Sequence, residues 1–192
     1  MTRIVFLLLL TGKFLQGQDS VKYYPNGNKE WEGNYLKGKQ QGKWKHYYDN
    51  GRLRSEMNFK DGMLHGERIE WFIDSLPSSS EMYRNGQKHG TSKRWHKTGK
   101  IMSIGNFSHG KSAGKWYFYD PTGKLSVAGK YRKGMWHGKW EDYNSLTGKK
   151  NSSGKYRADK KNKKWMYWDK YGILSKVEFY KNGKLVKEVT FR

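Results

Sequence analysis

A turn-type residue, almost always glycine, returns through this chain every 24 positions, and that period limits the possible folds more than any other feature. It stands at Gly27, Gly51, Ser75, Gly99, Gly123, Gly148 and Gly172, with one residue inserted before Gly148. Eight positions further on, every unit carries an aromatic residue: Tyr35, Phe59, Tyr83, Phe107, Tyr131, Tyr156 and Tyr180. Eleven positions on, glycine recurs at Gly38, Gly62, Gly86, Gly110, Gly134 and Gly183, with Asp159 in the sixth unit. A unit this short cannot bury a core of its own, so its stability must come from stacking on its neighbours.

Each unit reads as two short strands and two tight turns. Pro25-Asn26-Gly27 and Asp49-Asn50-Gly51 close one kind of strand; Asp61-Gly62, Asn85-Gly86 and Asn182-Gly183 close the other. Asn-Gly and Asp-Gly suit the positive φ of hairpin turns, which makes successive strands antiparallel. Between turns, polarity alternates. Leu125, Val127, Gly129 and Tyr131 share one face, opposite Lys124, Ser126 and Lys130 with Ala128. A period of two with one apolar face is the mark of a strand. Seven units predict about 14 strands, spaced about 4.8 Å apart in a meander.

Composition sets how such a sheet is covered. Leu, Ile, Val and Phe supply only 33 of 192 residues, and the net charge is +22, a combination that taken alone argues for disorder. Nine Trp and 14 Tyr argue against disorder. The apolar cover must therefore be aromatic, and a thick two-layer core is out of reach. Gly33, Gly105, Gly129 and Gly154 sit on the apolar face, where a missing side chain lets something approach closely. The rings of Trp44, Trp116, Trp140 and Trp165 on neighbouring strands are the candidates.

The recurring turn, the Gly-x-Tyr, the Gly-x-x-x-Gly and the Gly-x-Trp-x-x-Tyr resemble the MORN repeat family, in its bacterial variant form found in YwqK-like antitoxin components. GNYLKGKQQGKWKHYYDNG (33–51) and GKYRKGMWHGKWEDY (129–143) carry the resemblance best, and it extends over about 21–192. It implies an all-β fold: an elongated, single-layer antiparallel meander of repeated β-hairpins in about seven 24-residue units. It also implies a scaffold or adaptor that binds proteins, self-associates or meets anionic lipid, with toxin neutralisation as the subfamily's role. The pattern breaks at 75–80, at Asp159 and at Lys163, where strand pairing is open to local disruption.

The first 17 residues differ from the rest. Arg3, an apolar run over 4–10 and small polar residues read as a secretory signal peptide cut after Gly17, leaving a repeat domain over 18–192. The run is too short for a transmembrane helix, and a buried N-terminal strand is the alternative. A signal predicts an exported protein of the periplasm, cell envelope or medium; without one, the chain is cytoplasmic. No transmembrane helix is expected in the mature chain.

Chemistry is sparse. The absence of cysteine excludes disulfides, thiolate metal sites and cysteine nucleophiles. His65, His89 and His137 hold the same place in their units, and that place in consecutive units is about 10 Å apart, too far for a shared metal. No nucleophile elbow, phosphate loop or paired carboxylates appear. The expectation is a non-enzyme with no catalytic residue, no metal and no cofactor, binding a macromolecule. A protein partner leads, either a toxin or a second copy; anionic lipid or polysaccharide follows. Nucleic acid is disfavoured, since no RNP-like or OB-fold pattern is present. Trp71, Trp95, Trp116, Trp140 and Trp165 are the candidate partner-binding aromatics. Lys149, Lys150, Lys155, Arg157, Lys160, Lys161, Lys163 and Lys164 form the candidate anion-binding patch; alternatively these lysines only guard the sheet against stacking and edge pairing.

Overall fold

The computed structural model describes residues 18–191; the expected signal peptide lies outside them. The described residues are all-β, fifteen antiparallel strands in one sheet that follows chain order. Two compact units divide the chain, 1–90 and 91–192. In the first are β1 (Gln18–Tyr23), β2 (Lys29–Leu36), β3 (Lys39–Tyr47), β4 (Leu53–Lys60), β5 (Met63–Trp71) and β6 (Pro77–Arg84). The division falls inside β7 (Gln87–Trp95). The second unit continues with β8 (Ile101–Ser108), β9 (Lys111–Tyr119), β10 (Leu125–Arg132), β11 (Met135–Tyr143), β12 (Lys150–Arg157), β13 (Lys160–Trp168), β14 (Leu174–Lys181) and β15 (Lys184–Thr190). The strand beyond the expected fourteen is β1, a half-unit that pairs with β2 ahead of the first complete repeat.

A ring laid over a glycine is the packing element of both units. In the first, Trp44 on β3 lies across Gly33 on β2, so close that a Cβ on Gly33 would stand 2.2 Å from a ring carbon. The Trp44 Nε1–H donates to the Asn34 carbonyl at 3.2 Å, and Tyr35 meets the indole edge-on at 5.0 Å. In the second unit, Trp116 over Gly105, Trp140 over Gly129 and Trp165 over Gly154 repeat the arrangement, with virtual Cβ distances of 2.0–2.1 Å. Their indoles donate to the carbonyls of Asn106, Lys130 and Lys155 at 3.1–3.2 Å. Phe107, Tyr131 and Tyr156 supply the edge-on neighbours. In these four units the aromatic eight places after the turn is thus the lateral wall of a tryptophan seat. Burying one indole this way contributes roughly 4–6 kcal/mol, from about 150–250 Å² at about 25 cal/mol per Å².

The glycine and the ring change together along the chain. Where the glycine place holds Met57, Glu81 or Glu178, the ring place holds Arg68, Ser92 or Val189. A side chain on the first strand and an indole on the second compete for the same space, so each unit keeps one or the other.

Pairing continues through the places where the repeat pattern breaks. Ser75 adopts φ 70°, in the left-handed region, and its N–H still donates to the Phe72 carbonyl at 2.9 Å. Trp71 pairs with Pro77 beyond it. Asp159 and Lys163 reach φ 62° and 60°, and β12 stays in register with β13 at Arg157↔Lys160. The small backbone cost of a non-glycine in this region is accepted and the ladder kept.

Successive turns are also tied to one another. In the first unit Tyr48 Oη donates to the Trp71 carbonyl at 2.7 Å; in the second the Gly134 N–H donates to the Ser112 carbonyl at 2.9 Å. Neighbouring repeats therefore share hydrogen bonds as well as buried rings.

Candidate binding surface

Residues directly opposite across a ladder share a face, and this sorts the candidate residues. On the ring face of the second unit, Trp116, Trp140 and Trp165 are buried, with exposures of 7%, 5% and 5%. They are its core and not exposed aromatics. Trp71 and Trp95 are half-buried and stand at the repeat place of Tyr47, Tyr143 and Trp168. That place lies on the opposite face, where Tyr47 Oη reaches Glu32 and Lys150 lies over the Trp168 ring. The five tryptophans thus divide between two faces, because three places separate the two positions in the repeat and an odd offset crosses the sheet.

The basic patch divides likewise. Lys150 is paired with Glu141 at 2.7 Å, and the Lys149 ammonium donates to the Tyr171 carbonyl at 2.8 Å in a turn. Lys161 points into the ring face, where Tyr167 Oη at 2.5 Å and Glu178 hold it. Arg157, Lys160 and Lys163 are exposed near the β12–β13 turn. Lys155 and Lys164 stand on the polar face, exposed.

Those last two belong to a row that no linear window reveals. On the polar face Lys115 of β9 stands directly opposite Lys130 of β10, and Lys139 of β11 directly opposite Lys155 of β12. Lys164 on β13 follows, and all five are exposed. One carboxylate, Glu141, answers the row, at 2.9 Å from Lys139. Lys115, Lys130 and Lys139 rim a shallow depression of about 240 Å³ with Tyr117 and Ala128 in its lining. Neighbouring strands are about 4.8 Å apart, well inside the screening length of about 8 Å at physiological salt. Like charges directly opposite destabilise a sheet. In the first unit the corresponding face is balanced: Lys43 meets Glu56 at 2.6 Å and Lys29 meets Glu32 at 2.5 Å. The broad dip there, about 730 Å³, has Lys29, Glu32 and Lys43 in its lining, with Lys45.

On the ring face the acids are held by hydrogen bonds and cations. Glu178 is 6% exposed. Burial alone raises its pKa, but bonds from Lys176, Tyr167 and Tyr180, with the Lys161 charge, outweigh that and hold it at about 2. Tyr167 is pushed up to about 12, chiefly by burial and then by its bond to Glu178. Lys161 is raised above its usual range: burial opposes this, and the bonds to Tyr167 and Tyr180 prevail. Among the described residues no group of three His, Asp or Glu side chains is placed to hold a metal, and no helix is long and apolar enough to cross a membrane.

A family model described as MORN repeat variant matches residues 40–61, 88–109, 113–133 and 176–192, each spanning one of the hairpin passages above or part of one. The chain carries MORN-variant repeats. The four matches cover somewhat under half of it, and the same succession of strands and turns fills the intervals between them. No curated protein matches the chain. Two solved structures, "Crystal Structure of TcdB2-TccC3-Cdc42" and "Crystal Structure of TcdB2-TccC3-TEV", are similar over 86% of this chain at 13% identity, with TM-scores of 0.26 and 0.24. The chain spans only 11% and 10% of their length.

Proposed function

We propose that this MORN-variant chain is a non-enzymatic binding protein that docks an acidic protein partner on the polar face of its second unit. The observation that supports this is the lysine row, above all the directly opposed pairs Lys115–Lys130 and Lys139–Lys155. Folding gains nothing from placing ammonium groups opposite one another, whereas an acidic surface laid over them converts the repulsion into attraction. Tyr117 and Ala128 between the lysines provide an apolar floor for such a contact. The lysines suffice for electrostatic recognition.

The test is photo-crosslinking in the protein's own host, with benzoylphenylalanine in place of Tyr117. A crosslink to an acidic protein is expected, and it should disappear when Lys130→Glu and Lys155→Glu are introduced together. Adducts indifferent to that charge reversal, or adducts only with nucleic acid or phospholipid, would overturn the reading.

A further inference from the structure

The ring face of the second unit holds a cleft that the lysine row does not explain. It encloses about 420 Å³, with Trp140 and Trp165 in its floor, Trp136, Tyr131 and Tyr156 beside them, and Asp142 in its lining. Asp142 owes this place to its register: Val127 and Ser152, both small, stand directly opposite it on either side. Small residues flanking a carboxylate open the dip, and the rings of the adjacent rows wall it. Trp136 is the most open of these rings, 37% exposed, and its indole is fixed by a hydrogen bond to Tyr131 Oη at 3.0 Å.

Asp142 differs from other carboxylates of the ring face in one respect. Glu70 is paired with Arg68, Glu81 with Lys88 at 2.6 Å, and Glu178 with Lys176 at 2.6 Å and Lys161 at 3.5 Å. Asp142 has no ion pair among the described residues; its hydrogen bond is a long one, 3.4 Å, from Asn151 Nδ2. The repeat beyond it shows what this kind of site accommodates. There the Lys161 ammonium lies 4.8 Å from the Trp165 ring centre and 5.0 Å from that of Tyr180, and Lys176 lies 4.7 Å from that of Tyr167, all around Glu178. One carboxylate and a set of rings hold two cations by charge and by cation–π attraction.

We infer that the Asp142 cleft binds a small organic cation of the alkylammonium class, supplied from outside the chain. The rings present negative faces to a methylated or alkyl-substituted ammonium, and Asp142 supplies the counter-charge. A cleft of this volume falls in the ordinary range for small-molecule sites, about 300–1,000 Å³. The positive charge of the whole protein opposes entry only weakly, because distant exposed charges are screened beyond about 8 Å at physiological salt. The ring-face lysine of β13, Lys161, is already committed to Glu178 and the tyrosines. This site is separate from the lysine row and stands or falls independently of it.

The experiment is a titration of the full chain followed by the indole N–H resonance of Trp136. Choline is the probe, and its uncharged carbon isostere, dimethylbutanol, is the control, with sodium chloride matched throughout. Choline should shift the resonance saturably and bind about five- to tenfold more tightly than the isostere, the range that cation–π attraction beside a carboxylate supplies. Asp142→Asn should reduce that preference to what the rings alone supply, about twofold to fivefold, while leaving the weak response to the isostere. Equal binding of choline and isostere to the unaltered protein would overturn the inference without recourse to any variant. So would an Asp142→Asn protein whose preference for choline is undiminished, or a choline shift no larger than that of sodium chloride.

Discussion

Gly129→Ala is expected to destabilise the second unit by about 3–5 kcal/mol, the scale of losing a buried tryptophan, although it adds a single methyl group. That methyl would stand 2.1 Å from Trp140 Cδ2, deeper than any adjustment of a few tenths of an ångström can relieve. The indole must leave its seat, losing its burial, its bond to the Lys130 carbonyl and its edge contact with Tyr131. Trp140→Ser alone should cost a similar amount, since it empties the seat. The double variant is the informative one. With the ring gone the methyl has room, so Gly129→Ala with Trp140→Ser should be no less stable than Trp140→Ser alone, a coupling of about 3 kcal/mol. The natural combination of Glu81 with Ser92 already follows this logic. Urea unfolding of the four proteins measures the coupling, and additive losses would contradict the ring-over-glycine account.

The second large effect concerns Glu178. Its folded pKa, about 2, lies below the ordinary value of 4.5. A lowered carboxyl pKa contributes stability that is present above the unfolded value and lost as pH falls through the folded one. The window is therefore between about pH 4.5 and 2, and up to about 3 kcal/mol is at stake there. At the alkaline end Tyr167, raised to about 12 from 10, keeps its contribution below pH 10 and loses it as pH climbs toward 12. Glu178→Ala should cost about 2–4 kcal/mol at neutral pH, less than a fully buried pair because the two lysines retain some solvent. Because repeats are stabilised by their neighbours, the loss should begin locally in the β14–β15 hairpin. Amide protection in that hairpin, after allowance for slower intrinsic exchange in acid, should fall between pH 4.5 and 2 in the unaltered protein and stay at its already lowered level in the Ala variant. A uniform loss of protection along the chain would show that Glu178 is not the acid-sensitive element.

Much of this architecture is legible in the sequence, because a period exposes what a single strand hides. Gly129 followed eleven places later by Trp140 is ambiguous once and clear when repeated at Gly33, Gly105 and Gly154. The turn dipeptides set antiparallel pairing, and five of the seven aromatics after the turns are edge-on neighbours of a tryptophan, while Tyr83 and Tyr180 bond Glu81 and Glu178. What escaped has physical reasons. Trp71 and Trp95 recur as regularly as Trp140, but face depends on the parity of the offset and on the bulges that shift register near strand ends. The lysine row escaped because Lys115, Lys130, Lys139 and Lys155 are neighbours only across strands; the run over 149–164 drew attention to charges that the fold scatters. The Glu178 network joins residues 161 to 180, which a search for adjacent acids passes over. That Asp142 has no cation of its own becomes visible only once every other ring-face carboxylate has been matched with its partner.

The central claim is that the lysine row is kept for a partner, against the interest of the isolated fold. Thermal unfolding of the Lys130→Gln, Lys155→Gln variant at low salt tests it most directly. Removing one ammonium from each opposed pair should raise the midpoint by a few degrees, with the gain fading as salt screens the remaining charge. A midpoint that falls, or a gain indifferent to salt, would mean that these lysines serve the fold itself, and would contradict the account.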